Sequence, residues 1–155
     1  MTVKAILERK ARDGRGEGVV SVAPDQSVAE AAALLARHRI GAVLVCEGEG
    51  GSARMVGILS ERDVIRAIAE GHQGVADMPV SELMTAEVER CSINDTAAGV
   101  LAKMEAGQFR HMPVMDGSRL GGLVSITDIA RRRVGEAERE AESVMEYVGT
   151  NARGL

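Results

Sequence analysis

Apolar residues along the chain fall into short runs with regular punctuation. Val28, Ala31, Ala32, Leu35 and Ala36 recur at i, i+3, i+4, i+7 and i+8, which is one face of a helix. Ser27 stands just ahead of them with Glu30 three residues on, the pattern of a capping box. A helix is therefore predicted from residue 28 to about 38, with Gly41 as its stop. Residues 42–46 are a continuous apolar run, short enough to be a buried strand. Residues 47–53, with three glycines and two glutamates, predict a turn or hairpin loop, and 55–59 the return strand. Ser60 then opens another helix, on which Val64, Ile65, Ile68 and Ala69 share a face. At the start, residues 1–10 predict a short helix with Val3, Ile6, Leu7 and Lys10 on one side. A glycine- and charge-rich loop over 11–18 and a β-branched run over 19–22 follow, ended by Pro24-Asp25.

The second half repeats this order. Residues 71–79, with Gly74 and Met78-Pro79, form the linker, and 80–84 a short helical turn. Residues 88–93 are the counterpart of 19–24. Thr96 takes the place of Ser27, and Ala97, Val100, Leu101 and Met104 repeat the apolar stripe. Phe109-Arg110-His111-Met112-Pro113-Val114 aligns with Ile40-Gly41-Ala42-Val43-Leu44-Val45. The offset is 96 − 27 = 69 at the helix start and 122 − 57 = 65 after the hairpin. The difference falls in the hairpin loop, where length changes cost little. Each half is close to the size at which a single core is marginal, so the two are expected to pack as one module. The expected division is 1–74 with the N-terminal helix, 75–134, and a tail over 135–155. That tail reads as a charged helix with Ala137, Ala141, Val144, Met145 and Val148 on one side, a stripe that favours packing on the module over packing on a second subunit.

Composition removes several function classes. At 155 residues and 45% hydrophobic the chain has enough for a packed core. One Phe, one Tyr and no Trp leave almost no platform for stacking bases, and a net charge of −4 disfavours binding a phosphate backbone. No apolar run approaches the roughly 18 residues of a membrane span, and residues 1–10 carry no signal-peptide core. A cytoplasmic protein is expected. Cys46 and Cys91 have no metal-ligand spacing and read as small apolar residues, a disulfide or reactive thiol being the other reading. His38, His72 and His111 are scattered, and no metal cluster, acid/base pair or Lys-bearing phosphate loop supports an enzyme.

The halves share a turn. Gly57-Ile58-Leu59-Ser60-Glu61-Arg62-Asp63 and Gly122-Leu123-Val124-Ser125-Ile126-Thr127-Asp128 both run glycine, two aliphatics, Ser, two variable residues, Asp. Each puts Ser and Asp on the first turn of a helix that follows a strand. One reading is capping, in which Ser satisfies an orphan N–H and the acid complements the macrodipole, together about 1 to 2 kcal/mol. Two features point to a ligand instead. Asp reaches back to the N-cap N–H less easily than the Glu or Gln of a usual capping box. A glycine six residues ahead of each Asp leaves room for something to approach the backbone. A nucleotide fits that chemistry, with ribose hydroxyls donating to the carboxylate while the Ser hydroxyl and helix N-terminal N–H groups hold phosphate. The residues alone leave both readings open.

With Pro24-Asp25-Gln26-Ser27-Val28 before the first stripe and the 109–114 run before the second hairpin, these turns make residues 3–134 resemble a tandem pair of CBS domains. That family is named after cystathionine β-synthase, and the pair is often called a Bateman module. The resemblance implies an α+β fold of two β-α-β-β-α repeats packed with pseudo-twofold symmetry. It also implies a stand-alone regulatory homodimer with no catalytic cofactor. Its clefts between the repeats would take AMP, ADP, ATP, NAD(H) or S-adenosylmethionine. Asp63 and Asp128 would hold ribose and Ser60 and Ser125 would contact phosphate, next to Gly57 and Gly122. Adenine would lie among backbone groups and aliphatics at residues 20–23, Val22 among them, in one half and 89–92, Cys91 among them, in the other. Arg110, His111, Arg131 and Arg132, with Thr127 on the turn, stand around the second copy. Gly41 and Ala42 replace the first two of these in the first half, where Arg62 and Arg66 remain. The second site is therefore expected to take the more highly phosphorylated group. A solvated helix end competes with that reading for residues 131–133, as does a polar strand end for His111. The alternative function is a structural or interaction protein with degenerate pockets.

Overall fold

The computed structural model describes residues 1–15, 19–49 and 53–151; in the last helix the side chains at 132, 133, 144 and 146–151 lie outside the description. Helix α1 (Val3–Arg12) is capped by the Thr2 hydroxyl, which accepts from the Ala5 N–H. It takes Ala11 and Arg12 out of the expected loop, whose residues 16–18 are outside the described set. The first repeat is β1 (Ser21–Val22), α2 (Val28–His38), β2 (Ala42–Glu47), β3 (Arg54–Ser60) and α3 (Glu61–Ala69). A 3-10 turn (Val75–Asp77) and the short helix α4 (Val80–Leu83) join it to the second repeat. That repeat is β4 (Cys91–Ser92), α5 (Ala97–Gly107), β5 (His111–Asp116), β6 (Arg119–Ser125) and α6 (Ile126–Asn151).

Each repeat forms a three-stranded sheet, in the orders β1-β2-β3 and β4-β5-β6, with the first pair parallel and the hairpin antiparallel. The α+β class and the repeat order expected from the sequence hold. Even the irregularities repeat. The register shifts between Val45 and Cys46 in one hairpin and between Val114 and Met115 in the other. The first hairpin loop includes residues 50–52, outside the described set.

The stop of α2 is Arg39, not Gly41. Arg39 adopts the left-handed conformation (φ 52°), and its N–H bonds back to Ala36 and Leu35, as Gln108 (φ 54°) does after α5. A non-glycine residue there costs on the order of 1 kcal/mol, which the returned N–H bond offsets. Gly41 serves a different purpose. A Cβ at this position would lie 3.0 and 3.1 Å from the imidazole of His111, so the glycine admits a side chain from the other repeat.

Four fully buried residues in a row make β2 a strand covered on both faces. Val43 and Val45 pack with Ala31, Leu35 and Leu59 under the helices. Ala42 and Leu44 pack with Met55, Ile58, Leu120 and Leu123, the layer between the two sheets. Side chains that neither half could cover alone thus lie against the other half. Burying one such Leu contributes roughly 1.5–3 kcal/mol.

Packing crosses the expected division at 74/75. Val3 and Ile6 of α1 belong to the core of the second repeat, with Val100, Met104, Met112 and Ile129. Val80 of α4 belongs to the core of the first, with Val22, Ala31 and Leu59. The division at 134/135 is not a break in structure, because α6 runs through it without interruption. Beyond Glu136, the described side chains of α6 are exposed, Met145 at 77% among them, so the stripe does not pack on the module there. Val144 and Val148 of that stripe lie outside the described side chains. No helix is long and apolar enough to cross a membrane among the described residues.

Candidate functional site

Both repeated turns sit where an outer hairpin strand passes directly into a helix. Ser60 ends β3 in extended conformation and caps α3. Its hydroxyl accepts from the Asp63 N–H at 3.3 Å. Asp63 Oδ2 accepts from the Ser60 N–H at 2.8 Å and from its hydroxyl at 2.9 Å. In the second copy the Ser125 hydroxyl accepts from the Asp128 N–H at 3.2 Å, and Asp128 Oδ2 from the Ser125 N–H at 2.9 Å. Although Asp was expected to reach back to the N-cap N–H less easily than Glu or Gln, both copies close the box. The extended backbone at the cap residue brings its N–H within reach of the shorter side chain. Capping and ligand binding are compatible, because each box uses Oδ2 and leaves Oδ1.

The helix ends offer less to an anion than the sequence suggests. Glu61 N–H donates to Gly41 O, and Ile126 N–H to Arg110 O, both at 3.0 Å. With the third N–H used by the cap, the Arg62 and Thr127 N–H groups are the first-turn donors left over among the described hydrogen bonds.

The turn glycines admit the chain itself. A Cβ on Gly57 would lie 2.6 Å from Met84 Sδ and 2.9 Å from Thr85 O, and one on Gly122 would lie 3.2 Å from the Leu7 methyls. Gly57 and Gly122 are packing positions, not openings for a ligand.

An open cleft of about 680 Å³ lies at the first turn. Ser60, Glu61, Arg62, Asp63, Ile65 and Arg66 form one wall, the segment from Thr85 through Val88 and Glu89 another, and Gln108, Phe109, Arg110 and His111 the third. Arg110 and His111 thus line the cleft at the Asp63 turn, although sequence proximity assigned them to the Asp128 turn, whose charge still acts on His111. His111 pairs in register with Ser125 on β6, but its imidazole crosses to Gly41. Burial, and then the neighbouring Arg110, hold its pKa below the ordinary value of 6.5. Three guanidinium groups face four carboxylates in this cleft. Arg66 Nη1 is 4.0 Å from Asp63 Oδ1.

The second turn borders a smaller cleft of about 420 Å³ between α1 and α6, lined by Asp128 and Arg131 together with Arg9, Lys10 and Glu138. Ser125 and Thr127 are not part of its lining. The Arg132 side chain lies outside the described set. Lys10 Nζ donates to Asp128 Oδ2 and to Leu123 O, each at 3.1 Å. Of the groups expected at the second site, Arg110 and His111 line the first cleft and Arg131 lines the second, whose carboxylate Asp128 already holds a lysine.

Two cleft candidates are core residues. Val22 is 2% and Cys91 3% exposed, because each is the inward member of a two-residue strand. The Cys91 thiol donates to Pro113 O at 3.6 Å, and burial pushes its pKa up to about 11. Both cysteines are free.

The sequence matches the CBS domain family twice, over residues 16–70 and 80–135, one match for each repeat. The chain belongs to the CBS-domain family. As a CBS pair it is 34% identical over 113 residues to the CBS domain-containing protein YhcV of Bacillus subtilis, covering 72% of this chain and 76% of that one. Its fold matches the CBS-domain containing protein ATU1752 from Agrobacterium tumefaciens with a TM-score of 0.77 and 40% identity, over 86% of this chain and 99% of that chain. The CBS domain pair of protein MJ0100, solved with 5-methylthioadenosine and S-adenosyl-L-methionine, matches with a TM-score of 0.71 and 27% identity, over 88% and 98%.

Sequence reasoning passed over Lys10, Leu7, Glu61 and Glu87. The signal for the first two was present: Val3-x-x-Ile6-Leu7 recurs as Val80-x-x-Leu83-Met84, which makes α1 and α4 equivalent entries to the two halves of the CBS pair.

Proposed function

We propose that this CBS pair is a regulatory module that takes an adenosine-containing ligand in the cleft at Asp63. The shared lining carries the reading: Ser60 and Asp63 come from one repeat, and Arg110 and His111 from the other. A ligand that touches both repeats binds according to how they are packed, and so shifts that equilibrium. Oδ1 of Asp63 receives the ribose hydroxyls while Oδ2 stays with the cap, and Ile58, Ile65 and Val88 offer an apolar bed for the base. The volume is in the range of small-molecule sites, about 300–1,000 Å³. The adenosyl ligands of MJ0100 support the base and sugar. Charge narrows the rest. With no surplus of cations and a neutral His111, the cleft favours AMP or an adenosyl sulfonium over ADP or ATP.

The module acts as a homodimer through α3, where Ile65 and Ile68 are 65% and 62% exposed. Its role is binding, not catalysis, in the cytoplasm, with the net charge of −4 weighing against a nucleic-acid partner.

Thermal unfolding with AMP tests the site. At hundredfold excess over Kd, binding adds about 2.7 kcal/mol, or roughly 5–10 °C for a chain of this size. Asp63→Ala lowers the unliganded Tm through its lost cap and removes the AMP shift. If neither adenine nucleotides nor S-adenosylmethionine raise Tm, the chain is a structural or interaction module. If the shift survives in Asp63→Ala, the ligand lies elsewhere.

A further inference from the structure

The chain treats its two turns differently. The segments that enter the repeats start alike: Val3 N–H donates to Asp95 O at 2.9 Å and Val80 N–H to Gln26 O at 2.8 Å, and Lys4 and Ser81 donate to Ile93 O and Pro24 O at 2.9 Å each. The acceptors are related by 95 − 26 = 69 and the donors by 80 − 3 = 77. At that second offset Leu7 corresponds to Met84 (84 − 7 = 77), and the two lie over the turn glycines Gly122 and Gly57. Lys10 corresponds to Glu87 (87 − 10 = 77), and here the halves part. After α4 the chain leaves the helix, with Thr85 bridged to Ile58, and Glu87 lines an open cleft. In the other half α1 stays helical to Arg12 and sets Lys10 on the turn.

The ammonium of Lys10 takes two acceptors there, Asp128 Oδ2 and Leu123 O, and the Lys10 and Asp128 side chains are only 19% and 11% exposed. We propose that Lys10 is a built-in occupant of the second turn, so that each chain takes one nucleotide, at Asp63, and the Asp128 turn admits another only when Lys10 swings out. This rests on the reading of the Asp63 cleft given above. The lysine shares Oδ2 with the cap, so what blocks a ligand is the ammonium's place between Asp128 and Leu123 O, and moving it leaves the sheltered carboxylate without its counter-charge. The moving part is a side chain. Val3 and Ile6, 0% and 3% exposed in the second core, keep α1 in place. The cleft beside Lys10, Asp128 and Arg131 supplies the space once the lysine is gone.

Titration calorimetry with AMP gives the count. Wild type is expected to bind one AMP per chain, Asp63→Ala none, Lys10→Ala two, and Lys10→Ala/Asp128→Ala one again. Two per wild-type chain, or one per chain in Lys10→Ala, overturns the proposal and leaves the nucleotide reading intact. No binding in any variant overturns the nucleotide reading and the count with it. The contact itself is then read by reductive methylation, which the chain suits because its lysines are Lys4, Lys10 and Lys103 alone. Lys10 is expected to react about tenfold more slowly than Lys4, the shelter lost in Asp128→Asn. Equal rates for the two lysines in wild type overturn the contact.

Discussion

At His111 the two repeats meet, its imidazole set against the bare backbone of Gly41. Burial and then Arg110 lower its pKa from 6.5, Asp128 opposes them, and Lys10 and Glu61 add smaller opposed effects. The sign for stability follows. Above the unfolded value both states are neutral and nothing changes. As pH falls below 6.5 the unfolded chain binds a proton that the folded one resists, so stability drops until the folded pKa is passed. Denaturant melts between pH 7.5 and 5 are expected to show this loss, at no more than about 1.4 kcal/mol per pH unit. His111→Gln is expected to flatten the slope, and an unchanged slope would place its origin elsewhere. The residue type was visible in the sequence, but its partner was not. Arg110 and His111 are near Asp128 along the chain, and only the direction in which the β5 end points takes them to Asp63.

Among the elements, the turns and hairpins were the most legible. Gly, two aliphatics, Ser and Asp encode a strand running into a capped helix by local chemistry alone, and both copies form it. Helix α3 was less so, since Val64, Ile65, Ala67, Ile68 and Ala69 satisfy two overlapping faces. The buried one contains Ala67, with Val64 packed beside it, while Ile65 and Ile68 face out. The turn glycines make a further prediction at this scale. Thr85 is tied to Ile58 by two backbone bonds of 2.9 and 3.0 Å, so the carbonyl against Gly57 cannot retreat. Gly57→Ala is expected to cost about 1–3 kcal/mol in urea unfolding. Gly122→Ala is expected to cost less, because the Leu7 methyls that it meets can turn aside. Equal costs would mean that the linker is not held against β3.

For the whole molecule the question is what covers the outer helices. Ile65 and Ile68 on α3 are matched on α6 by Val134, 58% exposed. These helices follow the two equivalent turns, but at the offset of 65 Ile65 and Ile68 correspond to Ala130 and Arg133, and Val134 to Ala69, so the two apolar patches are not copies of each other. A second copy meeting both patches would bury them without a further element. Sedimentation analysis is expected to show a dimer, and Ile68→Glu, which lies outside the cleft lining, is expected to shift it to monomer by placing a charge in the apolar contact. A wild-type monomer, or a dimer untouched by Ile68→Glu, would end that reading.

By itself the sequence determined what depends on neighbours along the chain. The periods of its apolar runs set the helices and strands, its caps and glycines set the turns, and the offsets of 69 and 65 set the duplication. The tertiary structure decided what depends on distant residues. It passed α1 to the second repeat and α4 to the first, sent His111 across to the first cleft, and set Lys10 on Asp128. Those contacts join residues separated by up to 118 positions. They depend on how two sheets face each other, and no local period records that.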